Sequence, residues 1–365
     1  MRSAMRLGLQ ALLQHPWLLI VLAINTALPL MCALLIGGYQ TDMLSRYDTV
    51  NPSLLVIQES GSMGEFYGSR IPSATVELLR ARGYAHPIPE IHNVTGATPA
   101  SAVLLRGIDP ARYQEIETFR LLYGRPLNAN DPPRATMIGS QLARNRDAVL
   151  GGPIQIRGRE FIVVGVFETG TVSDFEAWVS LRDAQDLLGW DDAVSIFVVP
   201  AGGSVKPGDE LPGGLSAVER GASGRNLTRE WRPLFDLLGS IAGSLGIWSA
   251  LALSATLGRL TWLRRRDLGV MRVVGYEPAA LAIHVCAQGL AVAALATLLA
   301  FAGASAIGAA SPLQTSGVQV RMVIEARTVA FVLACALGIG LAGSVVPAVW
   351  LARMPLSGLV RAEWA

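Results

Sequence analysis

Residues 17–39 read WLLIVLAINTALPLMCALLIGGY, a stretch without a single charge. A helix rises 1.5 Å per residue, so about 20 apolar residues cross the hydrocarbon core of a bilayer. Inside that core the backbone must satisfy its own hydrogen bonds, which a helix does within one segment. The stretch therefore reads as a transmembrane helix. The alternative is a cleaved signal peptide, whose apolar centre usually spans about 7–15 residues before a small-residue cleavage site. This run is longer and ends in Leu35-Ile36-Gly37-Gly38-Tyr39, so we read it as a retained span.

Working outward, three more charge-free runs are long enough to cross. They are Leu237–Gly258, the run that begins after Glu277 and lasts until Arg321, and Thr328–Ala352. Their weight explains the composition: 51% hydrophobic residues, 16% charged and a mean hydropathy of +0.41. Soluble domains carry about 25% charged residues. The reading is a membrane α-helical protein of four transmembrane helices, with an α+β extracytoplasmic domain inserted between helices 1 and 2. In residue numbers the layout is a weakly amphipathic cytoplasmic segment 1–15, spans 16–39, 234–258, 278–310 and 327–352, an exported domain 40–233, a cytoplasmic segment 259–277, a short external loop 311–326 and a cytoplasmic tail 353–365. Segment 1–15 could lie on the membrane surface or fray; the pattern leaves both open.

Orientation follows from arginines beside the span ends. Arg2, Arg6, Arg259, Arg264, Arg265, Arg266, Arg272, Arg353 and Arg361 fall on one side, against Arg321 and the bordering Arg327 on the other. Both termini are then cytoplasmic, and 40–233 is exported. The net charge of +2 implies no nucleic-acid partner. The one lysine, Lys206, precedes Pro207, so the chain carries no Walker A nucleotide site. Cys32, Cys286 and Cys335 all lie in apolar runs and read as packing residues, leaving the exported domain without a disulfide framework.

Within 40–233, strands are expected at Ser53–Gln58, Val103–Arg106, Ala135–Ile138 and Val194–Val199, and helices at Ser73–Arg82, Ser140–Asn145 and Leu181–Leu188. Pro153–Ile156 and Glu160–Phe167 form a hairpin around Arg157-Gly158-Arg159, and Pro200–Gly214 reads as a flexible loop. His86, Glu90 and His92 could hold zinc, but Pro87 and Pro89 interrupt them; a polar loop is the plainer reading, with no metal. Glu59–Gly64 has a serine setting that departs from G-x-S-x-G, so no catalytic residue is assigned.

In the spans, Gly239, Gly243 and Gly246 have the spacing that lets helices approach closely, either within the chain or between two copies. Gly338, Gly340 and Gly343 repeat it in the last span. His284 and Gln288 are four residues apart and share a face. No stripe of charges crosses the membrane, which argues against an ion channel or proton-coupled transporter. Arg264–Tyr276 reads RRRDLGVMRVVGY, a short amphipathic helix with Leu268, Met271 and Val274 on its apolar face. Such a helix either lies in the lipid interface or docks in a partner's groove.

That segment resembles the RRREIGILRALGA type of the FtsX-like, MacB-type permeases of ABC transporters. Gly139-Ser140-Gln141-Leu142-Ala143, GGPIQIRGREFIVVGVF at Gly151–Phe167, and the ending Pro347–Arg361 are similar to further motifs of that family, in the same order. Asp267 stands where the family usually has Glu, and Gly151-Gly152 where it has Gly-Asp. The resemblance implies a non-catalytic permease subunit of the bacterial inner membrane. It implies a second permease chain, alike or different, and a separate dimeric ATPase that holds ATP and magnesium; no cofactor belongs to this chain. Membrane lipid and a periplasmic membrane-fusion adaptor are further implied partners. Export, or extraction from the periplasm or outer leaflet, is the expected role; transmission of ATPase motion to an extracytoplasmic enzyme is the alternative. A membrane-anchored sensor is disfavoured by the short tail after Ala352. Arg266, Asp267, Leu268, Met271, Arg272 and Gly275 are the expected ATPase-coupling residues, and Gly239, Gly243 and Gly246 the expected packing or dimer residues.

Overall fold

Long uncharged runs and alternating β-rich runs cannot share one core, and the chain divides accordingly. In the computed structural model one unit comprises Met1–Thr41, Pro233–Pro312 and Arg321–Ala365, the other Asp42–Arg232 with Leu313–Val320. The described residues are 10, 12, 14, 16–46, 54–62, 68–84, 86–96, 102–201, 205–220, 222–311, 313–315 and 318–355. Most of the amphipathic segment 1–15, Met63 and Gly64 of the serine motif, and the tail beyond 355 lie outside them.

The second unit is built on an eleven-stranded mixed sheet. Its strands are β1 (Leu54–Glu59), β3 (Ile88–Thr95), β4 (Val103–Ile108), β5 (Arg120–Gly124), β6 (Ala135–Gly139), β7 (Pro153–Ile156), β8 (Arg159–Glu168), β9 (Glu176–Ser180), β11 (Ile196–Pro200), β12 (Glu210–Leu211) and β13 (Leu215–Glu219). They run in the order β12-β13-β1-β11-β3-β4-β9-β6-β8-β5, with β7 beside β8. Only β4–β9 and β6–β8 are parallel. A separate pair joins β2 (Ile71–Pro72) to β10 (Ala193–Val194).

Side chains alternate across a strand, and here each alternate set has its own fate. Leu55 and Ile57, Ile91, Val103 and Leu105, Ala177 and Val179, Phe197 and Val199 form one face. It is covered by α2 (Thr75–Ala81), α3 (Ser140–Asn145) and α4 (Leu181–Leu188) through Leu79, Leu142, Ala184 and Leu187. On α2, Leu79 is buried while Val76 and Leu78 are partly so. The other face carries two apolar patches. One holds Tyr113, Phe119, Phe167 and Trp178 with ring centroids 4.1–5.9 Å apart. The second holds Leu54, Val56, Ile88, Ile196 and Val198.

Several expectations change. Of the polar loop read at His86–His92, the part from Ile88 on is instead the start of β3, a central strand. Its first residues pair with β11, Ile88 to Val198 and Glu90 to Ile196, while pairing to β4 begins only at Ile91. Pro89 thus sits where just one side needs ladder bonds, so a proline is tolerated. The expected strand Val194–Val199 is divided at Ser195, whose Oγ accepts from His92 N at 2.9 Å and donates to His92 O at 3.0 Å. The expected loop Pro200–Gly214 contains β12, which turns back onto β13 by pairing Leu211 with Leu215. The hairpin at Arg157 has a two-residue turn, with Arg159 already paired to Ile156. Both Arg157 (φ 50°) and Gly158 (φ 76°) adopt positive φ, as a type I′ turn demands.

The membrane unit contains α1 (Pro16–Ser45), α5 (Ala222–Leu263), the short α6 (Arg265–Val273), α7 (Pro278–Ala310) and α8 (Ala326–Arg353). Four of these are long and apolar enough to span, over Pro16–Met43, Trp231–Leu263, Pro278–Ala310 and Ala326–Arg353. Helix α5 starts well before the expected 234, because the polar stretch ahead of Trp231 is helical without being apolar. Between α7 and α8 the backbones come together: a Cβ on Gly289 would collide with Ser344 Oγ and the Gly340 carbonyl. Ala296, Ala300 and Ala304 of α7 pack against Leu30 and Leu34 of α1 and Val332 and Ala336 of α8. His284 and Gln288 are both buried on the shared face, 3.4 Å apart. The loop expected at 311–326 contains a small hairpin, β14 (Leu313–Thr315) with β15 (Val318–Val320).

Candidate functional site

Helix α6 has two unlike faces. Leu268 is buried among Leu253, Leu257, Leu281 and Leu351, and Met271 packs against the same cluster. Arg272 Nη1 donates to the Met354 carbonyl at 2.7 Å, placing a cation at the C-terminal end of α8, where the helix dipole favours it. Arg266 and Asp267 are exposed. So are Val270, Val273 and Val274, the last 74% exposed. Val274 therefore leaves the apolar face on which its spacing put it, because the helix has ended: Gly275 N–H donates to Arg272 O at 3.1 Å and Tyr276 N–H to Met271 O at 3.0 Å. That is a Schellman cap, and it needs the positive φ of Gly275, 103°. Of the expected coupling residues, the structure thus turns Arg266 and Asp267 outward, commits Leu268, Met271 and Arg272 to the chain's own helices, and gives Gly275 a terminating role. The outward valines were missed; their signal was the apolar residue on either side of Met271-Arg272.

The expected packing glycines divide similarly. A Cβ on Gly239 or Gly243 would meet nothing within 4 Å, and on Gly246 only Ile339 at 3.6 Å. The close helix contacts of this chain use Gly289, Gly340 and Gly343 instead.

The sheet holds a second constellation. Cross-strand register sets His92, Arg106 and Trp178 side by side on adjacent strands. Arg106 Nη2 donates to Glu90 at 2.8 and 2.9 Å and also to Glu117; its Nη1 lies 3.7 Å from Glu176. The guanidinium carbon stands 5.1 Å from the Trp178 ring, and Trp178 Nε1 donates to Glu176 at 2.6 Å. His92 Nε2 is 2.9 Å from Glu90, and Arg220 pairs with Glu117 and, at 3.8 Å, with Glu90. Glu90 is fully buried and Arg106 is 2% exposed. Burial alone would raise the Glu90 carboxyl, but Arg106, the His92 hydrogen bond and Arg220 together hold it well below the usual carboxylate range. Glu90 and His92 do share a face, yet their partner is an arginine. His86 is exposed outside the cluster, and among the described residues no three metal-ligand side chains converge.

Residues 19–208 match the MacB-like periplasmic core domain family, and residues 239–356 the FtsX-like permease C-terminal family. No curated protein matches the chain. Solved structures similar to it include the extracellular domain of the noncanonic ABC-type transporter YknZ from Gram-positive bacteria (17% identity, 41% of this chain and 84% of that one, TM-score 0.33). The periplasmic region of MacB from Actinobacillus actinomycetemcomitans is 15% identical over 52% of this chain and 85% of that one (TM-score 0.32). A domain of a permease protein from Porphyromonas gingivalis is 15% identical over 46% and 88% (TM-score 0.30). With both family matches in chain order and four helices able to span, this multi-pass membrane protein belongs to the FtsX/MacB-like family of ABC-transporter permeases.

Proposed function

We propose that the chain is the permease subunit of a type VII ABC transporter of the bacterial inner membrane, with both termini cytoplasmic and 40–233 exported. A separate ATPase docks on α6, and its closure moves α5 and α8. The exported domain then moves and drives substrate from the periplasm or outer leaflet; the chain itself is not catalytic. The division of α6 carries this reading: Leu268, Met271 and Arg272 hold the helix to α5, α7 and the end of α8, while Arg266, Asp267, Val270, Val273 and Val274 face outward. Such a helix can take a push on one side and pass it on from the other. Arg220 supports the second half of the path. It lies two residues before α5 in the chain and is tied to Glu117 and Glu90 in the sheet.

The test is co-purification with an ATPase of this transporter class and substrate-stimulated ATP hydrolysis. Replacing Val270 and Val273 together by Glu should abolish the complex while leaving the helical circular dichroism unchanged. A double variant that binds the ATPase and couples at the wild-type level would remove α6 as the docking element.

A further inference from the structure

A groove of about 410 Å³ runs between Ser254, Gly258, Arg259 and Trp262 of α5 and Val346, Pro347 and Trp350 of α8. At 1.5 Å per residue it extends about 12 Å along α5. Its walls are apolar apart from Arg259 and the Ser254 hydroxyl. Gly258 leaves it open, since a Cβ there would meet nothing within 4 Å. Arg259 is exposed and makes no ion pair among the described residues. Trp262 and Trp350 are 51% and 38% exposed. Both stand within a turn of the ends of their helices, Leu263 and Arg353. Tryptophan at a helix end belongs at the level of lipid headgroups, and arginine there meets phosphate.

We infer that this groove is a binding site for one anionic phospholipid, with an acyl chain between α5 and α8 and the headgroup phosphate on Arg259. The inference rests on the spanning of the membrane and not on ATPase coupling. Charge complementarity selects the occupant. The apolar wall suits a chain, while the unmatched guanidinium at its rim suits an anion; the nearest further charges in sequence are Arg264, Arg265 and Arg266. A second copy packed here across a two-fold axis would set Arg259 against its own equivalent, which like-charge repulsion opposes. The open glycines Gly243 and Gly239 lie about three and four turns of α5 before Ser254, so a copy seated on them need not fill this groove.

Native mass spectrometry of the purified full chain, without any ATPase, tests the site with phosphatidylglycerol, phosphatidylcholine and glycerol phosphate as probes. Phosphatidylglycerol should be retained about tenfold more tightly than phosphatidylcholine, and glycerol phosphate should not displace it. R259Q should remove that preference while leaving weak binding of both lipids. G258L, which fills the groove, should remove the retained lipid altogether, with circular dichroism checking its fold. If G258L does not fold, R259Q alone decides, since Arg259 is exposed. Three results overturn the site: an unchanged preference in R259Q, displacement by glycerol phosphate, which marks a free-phosphate site, or a spontaneous disulfide dimer of S254C, which marks a second chain in the groove.

Discussion

The charged cluster on the sheet and the contact between α7 and α8 solve the same problem by opposite means. Both bring elements together away from solvent. In the sheet, Glu90, Arg106, Glu176 and Arg220 are buried beside the half-buried Glu117, and their mutual pairing offsets part of the water they lose. Water around the domain drives its apolar residues inward, so charges are tolerated there if every one is paired. Between α7 and α8 no such drive exists, because lipid is as apolar as leucine. Contact there depends on removing side chains, and Gly289 facing Gly340 and Ser344 does that. The sheet is therefore sensitive to a lost partner, and the helix pair to an added atom.

The largest expected effect comes from the sheet. Glu90→Ala leaves Arg106 and Arg220 undercompensated, and breaking a buried pair costs roughly 3–5 kcal/mol. Hydrogen exchange at β3 and β4 of the full chain should accelerate by a hundredfold or more. The same carboxyl predicts an acid sensitivity. Its folded value lies below the unfolded one, about 4.3, so its contribution is complete above that pH and is lost as pH falls below it. In Glu90→Gln the loss of domain stability between pH 5 and pH 3 should be shallower than in the parent, read by denaturant midpoints.

Next comes Gly289→Leu, which overpacks the α7–α8 contact at a cost of about 1–3 kcal/mol and should lower the melting temperature in detergent. Gly239→Leu should change it least, because a Cβ there would meet nothing within 4 Å among the described residues. If it proved as costly as Gly289→Leu, the open face of α5 would be covered by a neighbour, and the comparison would have to be redrawn for the paired chain.

Some of this was legible residue by residue. The hairpin at Arg157-Gly158 announces itself through its turn residues, and the helix at Leu181–Leu188 through Ser180, which caps it by accepting from Asp183 N–H; the helix at Ser140–Asn145, also read, has no side-chain cap. The strand through Glu90 and His92 was not legible, since prolines and charges in one short stretch are ordinary loop signals. They are consistent with a central strand only because Arg106 and Ser195 arrive from elsewhere in the chain. The strands β5, β9 and β13 were missed as well, although β6 and β11, which are no longer, were read from their apolar runs. On α6 the helix was readable and its outward face was not, because Leu268 and Val270 are equally apolar and only their neighbours differ.

Residue order alone determined the four crossing segments and the short arginine-rich helix. Each depends on chemistry within about 20 consecutive residues: uncharged length or helical spacing. The tertiary structure decided which glycines touch, which valines remain exposed and which carboxylate meets which arginine. Those outcomes join residues as distant as Glu117 and Arg220, or Gly289 and Ser344. Contacts over such separations exist only once the chain has closed on itself.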